Sequence, residues 1–407
     1  MMIRDTYRKG SGFMSSKTLN TQRVGYLWDT LYGWHDTGTG GNAPANPAQG
    51  LQPVNRHFSS PEPKRRLHEI IQVSQLRDKL VHLSAQPARR EQLRRVHSDS
   101  HIESMIEQSQ LPKGGDCGDG GSPFGQGGAD IAMLSAGGAI EMTRAVIDSD
   151  VDRGYALINP PGHHAERNRG LGFCLFNNAS AAASFALEER GLGKVAIVDW
   201  DVHHGNGTQD IWWEDDRVLT ISLHQDRNFP VDTGFVSEIG AGKGKGFNLN
   251  IPLPPGSGNL VYETAINNIV VPALEEFSPD LIILSTGYDA AMMDPLGRMM
   301  VTTKGYSRMT QALVNAADSL AGGKLVVVQE GGYCQYYVPF CGLAVLEGLT
   351  GAESGFKDEY GEIVDGQIRN YFTSDQIQYL RSAYEAHFGE PSSELASLIP
   401  GISGGEV

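Results

Sequence analysis

VAIVDWDVHHGNGT, residues 195–208, opens with four small or β-branched apolar residues, meets an aspartate, and then turns abruptly polar. A run of this kind, apolar on both faces, reads as a strand buried on both sides, the usual state of a strand in a parallel sheet. Four similar runs surround it: YALIN (155–159), VLTIS (218–222), LIILST (281–286) and KLVVVQ (324–329). Helix-length segments separate them. The pattern predicts an α/β fold, a single three-layer domain whose central, mostly parallel sheet is flanked by helices. No internal repeat is visible.

Upstream, ADIAMLSAGGAIEMTRAVID and SSPEPKRRLHEIIQVSQL read as helices, the second with proline in its opening turn. Two loops rich in glycine stand out, HDTGTGGNAPANPAQG around Asn42 and GGDCGDGGSPFGQGG around Gly120. The second is no phosphate cradle, because it lacks the G-x-x-x-x-G-K-[ST] pattern. Residues 1–23 are polar and aperiodic and are expected to be a flexible extension. Residues 24–351 would form the main folded domain, and 352–407 a tail whose TSDQIQYLRSAYEAHF forms a short amphipathic helix behind a Ser/Asp cap.

The 407 residues include 33 Lys plus Arg against 48 Asp plus Glu, a net charge of −15 that repels nucleic acid and anionic lipid. With 40% hydrophobic and 20% charged residues and no apolar run of bilayer length, the composition is that of a water-soluble globular protein. Four cysteines without a C-x-x-C pair make no disulfide framework or zinc ribbon. The N-terminus has no apolar stretch behind its basic residues, so a cytoplasmic location is expected.

Ligand sites in open parallel sheets form at the carboxyl ends of strands, and polar residues gather there. Asp199, Asp201 and His203 alternate with apolar residues along an expected extended segment, which would place them on one face. Asp289, after a later strand, supplies a further carboxylate. Three such ligands with an open position are what a catalytic zinc requires. A single aspartate at a strand end is ordinarily a cap or turn former, but several polar clusters at successive strand ends are costly as stability devices. His163 and His164 follow the strand-breaking Pro160-Pro161-Gly162 and suit an acid/base pair, while Tyr333, after two glycines, can donate to a developing oxyanion. These parts together suggest amide hydrolysis.

PPGHHA (160–165), GFCLFNN (172–178), DWDVHHGNGT (199–208), ISLHQDRNFP (221–230), STGYDAAMMDPLG (285–297) and EGGY (330–333) carry a resemblance to the histone deacetylase superfamily, specifically its bacterial class II histone deacetylase-like amidohydrolases. The likeness covers about residues 24–351. It implies an arginase/deacetylase-like fold and Zn2+ bound by Asp201, His203 and Asp289. It makes His164 the general base and then acid, His163 a charge-stabilising partner, and Tyr333 the oxyanion donor. Asp199 would support His163, and Asn206 would support His164 where class I members carry an aspartate. Phe173 and Phe229 would wall a tunnel for the lysine stem, Gly172 would offer its carbonyl to the substrate amide, and Leu296 would lie at the rim. The resemblance further implies K+ near Asp199, Asp201, His203, Ser222 and Leu223, a homo-oligomer, and Arg65 at the floor of an acetate channel, with an ordinary helix-surface arginine as the alternative. The implied substrate is an acylated lysine peptide or a small acyl-amine.

Thr286, Tyr288 and Met293 depart from the family's common S-A-G-F-D-A-x-x-G-D-P pattern. Acetylpolyamine amidohydrolases are the nearest alternative, although the apolar Leu296 favours acyl-lysine over a cationic chain. Binuclear manganese ureohydrolases share this sheet type but need a further aspartate in the last metal motif. An acyl-lysine-binding protein without turnover is the alternative of another class, disfavoured by the presence of His163, His164 and Tyr333.

Overall fold

Eight strands form the central sheet of the computed structural model, which describes residues 22–38, 56–367 and 371–390. In chain order they are β1 (Val24–Leu27), β2 (Leu80–Leu83), β3 (Arg153–Ala156), β4 (Val195–Asp199), β5 (Val218–Gln225), β6 (Asn248–Leu253), β7 (Leu281–Thr286) and β8 (Leu325–Gln329). They lie in the order β2-β1-β3-β8-β7-β4-β5-β6, and every neighbouring pair is parallel.

Among the helices that pack around this sheet or lead into the site are α1 (Glu62–Val73), α2 (Gly128–Ile147), α3 (Asn178–Glu188), α4 (Asn206–Trp212), α5 (Thr303–Leu320), α6 (Val338–Thr350) and α7 (Ser374–Phe388). The two-residue period of a strand sends alternate side chains to opposite faces. Ala196 and Val198 of β4 join a core with α1, α5 and α6, whereas Val195 and Ile197 join a second core with α2 and α3. Ile282 and Leu284 of β7 likewise oppose Leu281 and Ile283. The result is three layers with a core on each side of the sheet, each fully buried aliphatic side chain contributing about 1.5–3 kcal/mol.

The inner strands match the apolar runs closely, except that the expected strand at 155–159 pairs only as Arg153–Ala156. Three strands lie outside the sequence-based expectation. β1 and β2 are four residues long, two residues of β2 are exposed, and the edge strand β6 carries Asn248 and Asn250, so none of them shows a long apolar run. Helix α7 is capped by Thr373, whose side chain accepts from the Gln376 backbone while the Gln376 side chain accepts from Thr373, rather than by the expected Ser or Asp. Leu380 and Ala383 of α7 are buried in the α1/α5/α6 core, and Tyr379 Oη donates to Asp226 at 2.8 Å. The expected extension up to residue 21, the loop around Asn42 and residues 391–407 lie outside the described residues. No described helix is long and apolar enough to cross a membrane.

Because all eight strands are parallel, their carboxyl ends share one edge. β3, β8, β7 and β4 are consecutive neighbours, so the segments leaving them converge on one place.

Candidate active site

β4 stops at Asp199, and residues 201–203 form a bend. The expected extended segment through His203 is therefore corrected: side-chain hydrogen bonds, not strand pleating, gather these residues. Asp199 Oδ1 accepts from Asp201 N and Asp201 Oδ1 from His203 N, both at 2.9 Å. Such aspartate turns are local and pre-set the bend. Asp289, three residues past β7, accepts from Val202 N at 2.8 Å, and Gly331 N donates to Asp201 Oδ2 at 2.8 Å. A Cβ at Gly331 would lie 2.2 Å from Asp289 Oδ2, so only glycine permits this approach.

Ligand atoms of Asp201, His203 and Asp289 consequently lie within 4.8 Å of one another, all three residues buried. Burial and the adjacent Asp201 charge push Asp289 up to about 6. Burial opposes a charge on His203, but Asp201 and Asp289 outweigh it and raise the imidazole to about 10. Two buried carboxylates held this close call for a cation between them. Their oxygens with one imidazole nitrogen form a donor set suited to Zn2+, and His203 faces an open cavity, so the residues fit a catalytic metal. His163, Cys174 and Glu330 form a second close cluster. Its groups are already engaged or protonated: Glu330 Oε2 accepts from Gly162 N at 2.6 Å and His163 N at 3.1 Å, and burial pushes the Cys174 thiol up.

His163 and His164 sit side by side, ring centroids 4.0 Å apart. His163 Nδ1 lies 2.9 Å from Asp199 Oδ2, and its Nε2 lies 3.8 Å from Asp201 Oδ1. Burial works against its charge, yet Asp201 and Asp199 raise it to about 10. His164 Nδ1 instead lies 2.7 Å from Asn206 Oδ1, at the start of α4. Asn206 Nδ2 donates to Glu166 Oε1 at 2.8 Å. A carboxylate only accepts, so the amide must turn its NH2 to Glu166 and its oxygen to His164. His164 Nδ1 then carries the proton and Nε2 keeps its lone pair. Burial, followed by the charges of His163 and His203, lowers His164 well below the ordinary histidine range.

His164, His203 and Tyr333 line a cavity of about 420 Å3 together with Gly172, Phe173, Phe229 and Leu296. Phe229 meets the His164 ring edge-on at 5.0 Å, and Phe173 meets Tyr333 at 5.8 Å. Gly172 has φ +53°, and a Cβ there would lie 2.3 Å from the His164 ring. Phe173 also adopts a left-handed φ, of +70°, a conformation costing a residue with a side chain roughly 1–2 kcal/mol. The Gly120 loop forms another wall. Asp119 Oδ2 accepts from Gly172 N and Ser122 Oγ accepts from Phe173 N, both at 2.8 Å, which ties the loop to the cavity wall.

Ser222 stands in register with Asp199 on the neighbouring strand, and the Leu223 side chain is buried in the core, leaving only main-chain atoms for an ion. Arg65 takes the helix-surface alternative: its guanidinium is half exposed and pairs with Glu62 at 2.7 Å and Glu69 at 2.6 Å, pointing away from the interior. The inward cation is Lys64, whose Nζ donates to Asn159 Oδ1 at 3.1 Å. Burial lowers it to about 8, against the pull of Glu330. Glu330 and Asp294 fall within motifs already singled out, but their roles depend on partners distant in the sequence. Asp119 and Ser122 come from a loop whose composition says only that it is irregular.

A histone deacetylase domain matches residues 57–349. The histone deacetylase-like amidohydrolase of Pseudomonas aeruginosa is 43% identical over 372 residues, spanning 91% of this chain and 97% of that protein. A probable deacetylase of Archaeoglobus fulgidus is 38% identical over 305 residues, 73% of this chain and 84% of the other. Among solved structures, the crystal structure of the HDA15 HD domain aligns with a TM-score of 0.78 at 31% identity, covering 94% of this chain and 98% of that one.

Proposed function

The chain belongs to the histone deacetylase family, and from that premise we propose that it is a zinc-dependent amidohydrolase removing acetyl or related acyl groups from the side-chain amine of acyl-lysine. The observation that carries the proposal is the meeting of Asp201, His203 and Asp289 with His164 and Tyr333 around one cavity. Zn2+ held by the first three would polarise the acyl carbonyl and make a water molecule acidic.

The remaining work falls to the protein. His164, with its Nε2 lone pair free, takes a proton from the attacking water and returns it to the departing amine. His163, charged between Asp199 and Asp201, holds positive charge beside the reacting carbonyl. The Tyr333 hydroxyl donates to the oxyanion. Phe173 and Phe229 grip the methylene stem of lysine by apolar contact, and the Gly172 carbonyl accepts the amide hydrogen of the substrate. Leu296 gives the rim an apolar side that suits a peptide better than a polyamine. K+ belongs beside Asp199, Asp201, His203, Ser222 and Leu223, where it would steady the segment that leaves β4.

Zinc-loaded protein should be assayed on an acetyl-lysine peptide and on an acetylated diamine. Faster turnover of the peptide is expected. Faster turnover of the diamine would make the protein a polyamine deacetylase, and stoichiometric zinc without hydrolysis of either would make it a binding protein.

A further inference from the structure

We propose that Asp294 is a positioning residue for the reaction: its carboxylate clamps the turn that carries Tyr333 and thereby sets where the phenol hydroxyl stands. The proposal rests on the role given above to Tyr333. Asp294 is buried, five residues beyond Asp289 on the segment that leaves β7. Its Oδ2 accepts from Tyr333 N at 2.7 Å and from Cys334 N at 3.2 Å, while Oδ1 accepts from Leu296 N at 2.9 Å. One side chain thus joins the segment bearing a metal ligand and the rim leucine to the turn bearing the oxyanion donor.

The turn needs such a clamp. Gly331 and Gly332 precede Tyr333, and Gly332 has φ +116°, outside the range a side chain tolerates easily. Glycine leaves the backbone many conformations, so the close approach to Asp201 and Asp289 is obtained from a segment with little stiffness of its own. Gly331 is held by Asp201 through its N–H and by Gln329 Nε2, which donates to its carbonyl at 2.8 Å. Beyond the glycines, Asp294 is the side chain that grips the backbone N–H of Tyr333 and Cys334. The ring itself makes edge contacts, with Phe173 at 5.8 Å and His203 at 6.2 Å, which permit sliding. Freed at this point, the hydroxyl would lose its fixed position, and a displacement of about 1 Å at a reacting centre can cost on the order of 100-fold.

The test is a double-mutant cycle on the zinc-loaded full chain, combining Asp294→Ala and the near-isosteric Asp294→Leu, neither of which can accept a hydrogen bond, with Tyr333→Phe. Zinc content and thermal unfolding are followed in every variant, and Asp294→Leu carries the cycle if Asp294→Ala does not fold. Alone, either Asp294 change should lower kcat by about 10- to 100-fold, with KM within twofold of wild type and zinc retained. In the Tyr333→Phe background the same change should cost less than twofold. A second readout needs no turnover: affinity for a lysine analogue with a trifluoromethyl ketone in place of the acetamide, whose hydrate mimics the tetrahedral oxyanion. It should weaken with Asp294 altered and be insensitive to Asp294 once Tyr333 is Phe. Equal losses in both backgrounds, or loss of zinc with Asp294 altered, would overturn the proposal. Full activity of Tyr333→Phe would instead overturn the role of Tyr333, and a wild type inert on acyl-amides would overturn the proposed function; the analogue measurement still decides the clamp in that case.

Discussion

The interior beneath the cavity and the neck above it are built on opposite electrostatic rules, and two adjacent histidines mark the border. Below, Asp199, Asp201, Asp289 and Glu330 are all buried, their charges answered by backbone N–H groups and by His163. Above, His164 stands among Phe229, Gly172 and the neutral amide of Asn206. One imidazole is raised to about 10 and its neighbour is driven well below the usual histidine value. The side chains are chemically identical, so partner and location alone assign the proton.

That contrast can be broken most severely from below. Asp289→Ala should abolish metal retention and bring turnover to the uncatalysed background, checked by zinc content alongside kcat/KM. Next in size, His164→Ala should lower kcat by about 10^2- to 10^4-fold, the range for losing a general base, while zinc stays bound. His163→Ala should cost less than His164→Ala, and the reverse order in a matched assay would mean that the two roles are exchanged.

Asn206→Asp sharpens the contrast by giving His164 the kind of partner His163 has. A carboxylate against Nδ1 favours the imidazolium, so the pKa of the base rises. Since the base must be unprotonated to act, the acid limb of kcat/KM against pH should move up by about one unit or more. A limb that stays in place would show that another group titrates there. The smallest expected effect lies in the neck: Phe229→Ala should raise KM about tenfold, equivalent to roughly 1.4 kcal/mol of lost contact with the substrate stem, and leave kcat nearly unchanged.

Much of this arrangement is legible in the sequence, and the exceptions have physical causes. VAIVD and LIILST are strands at their expected limits because both faces are covered and the apolar run ends where the cover ends. β6 is hidden because Asn248 and Asn250 interrupt its apolar residues, their amides donating to Gln209. Asp201, His203 and Asp289 are readable as a close group, though by the wrong geometry, since an aspartate that bonds its own backbone two residues on ends a strand instead of extending it. The choice between the two positions open to Arg65 can be made from helix phase. Lys64, Leu67 and Ile71 fall at helical spacing and all three are buried, whereas Arg65 shares the outer face with Glu62 and Glu69. Helix phase decides which of three consecutive basic residues turns inward. Asp294 is out of reach, because its partners Tyr333 and Cys334 lie about 40 residues away and no local pattern announces the contact.

The parallel sheet delivers Asp201, His203, Asp289, His164 and Tyr333 to the carboxyl ends of its strands, away from the opposite edge. The exposed turn around Arg190 and Gly191, leading into β4, lies on that far side, and a Cβ at Gly191 would meet nothing within 4 Å. An anchor or reporter attached there would tether the protein to a support with its mouth facing outward, unobstructed by the linkage.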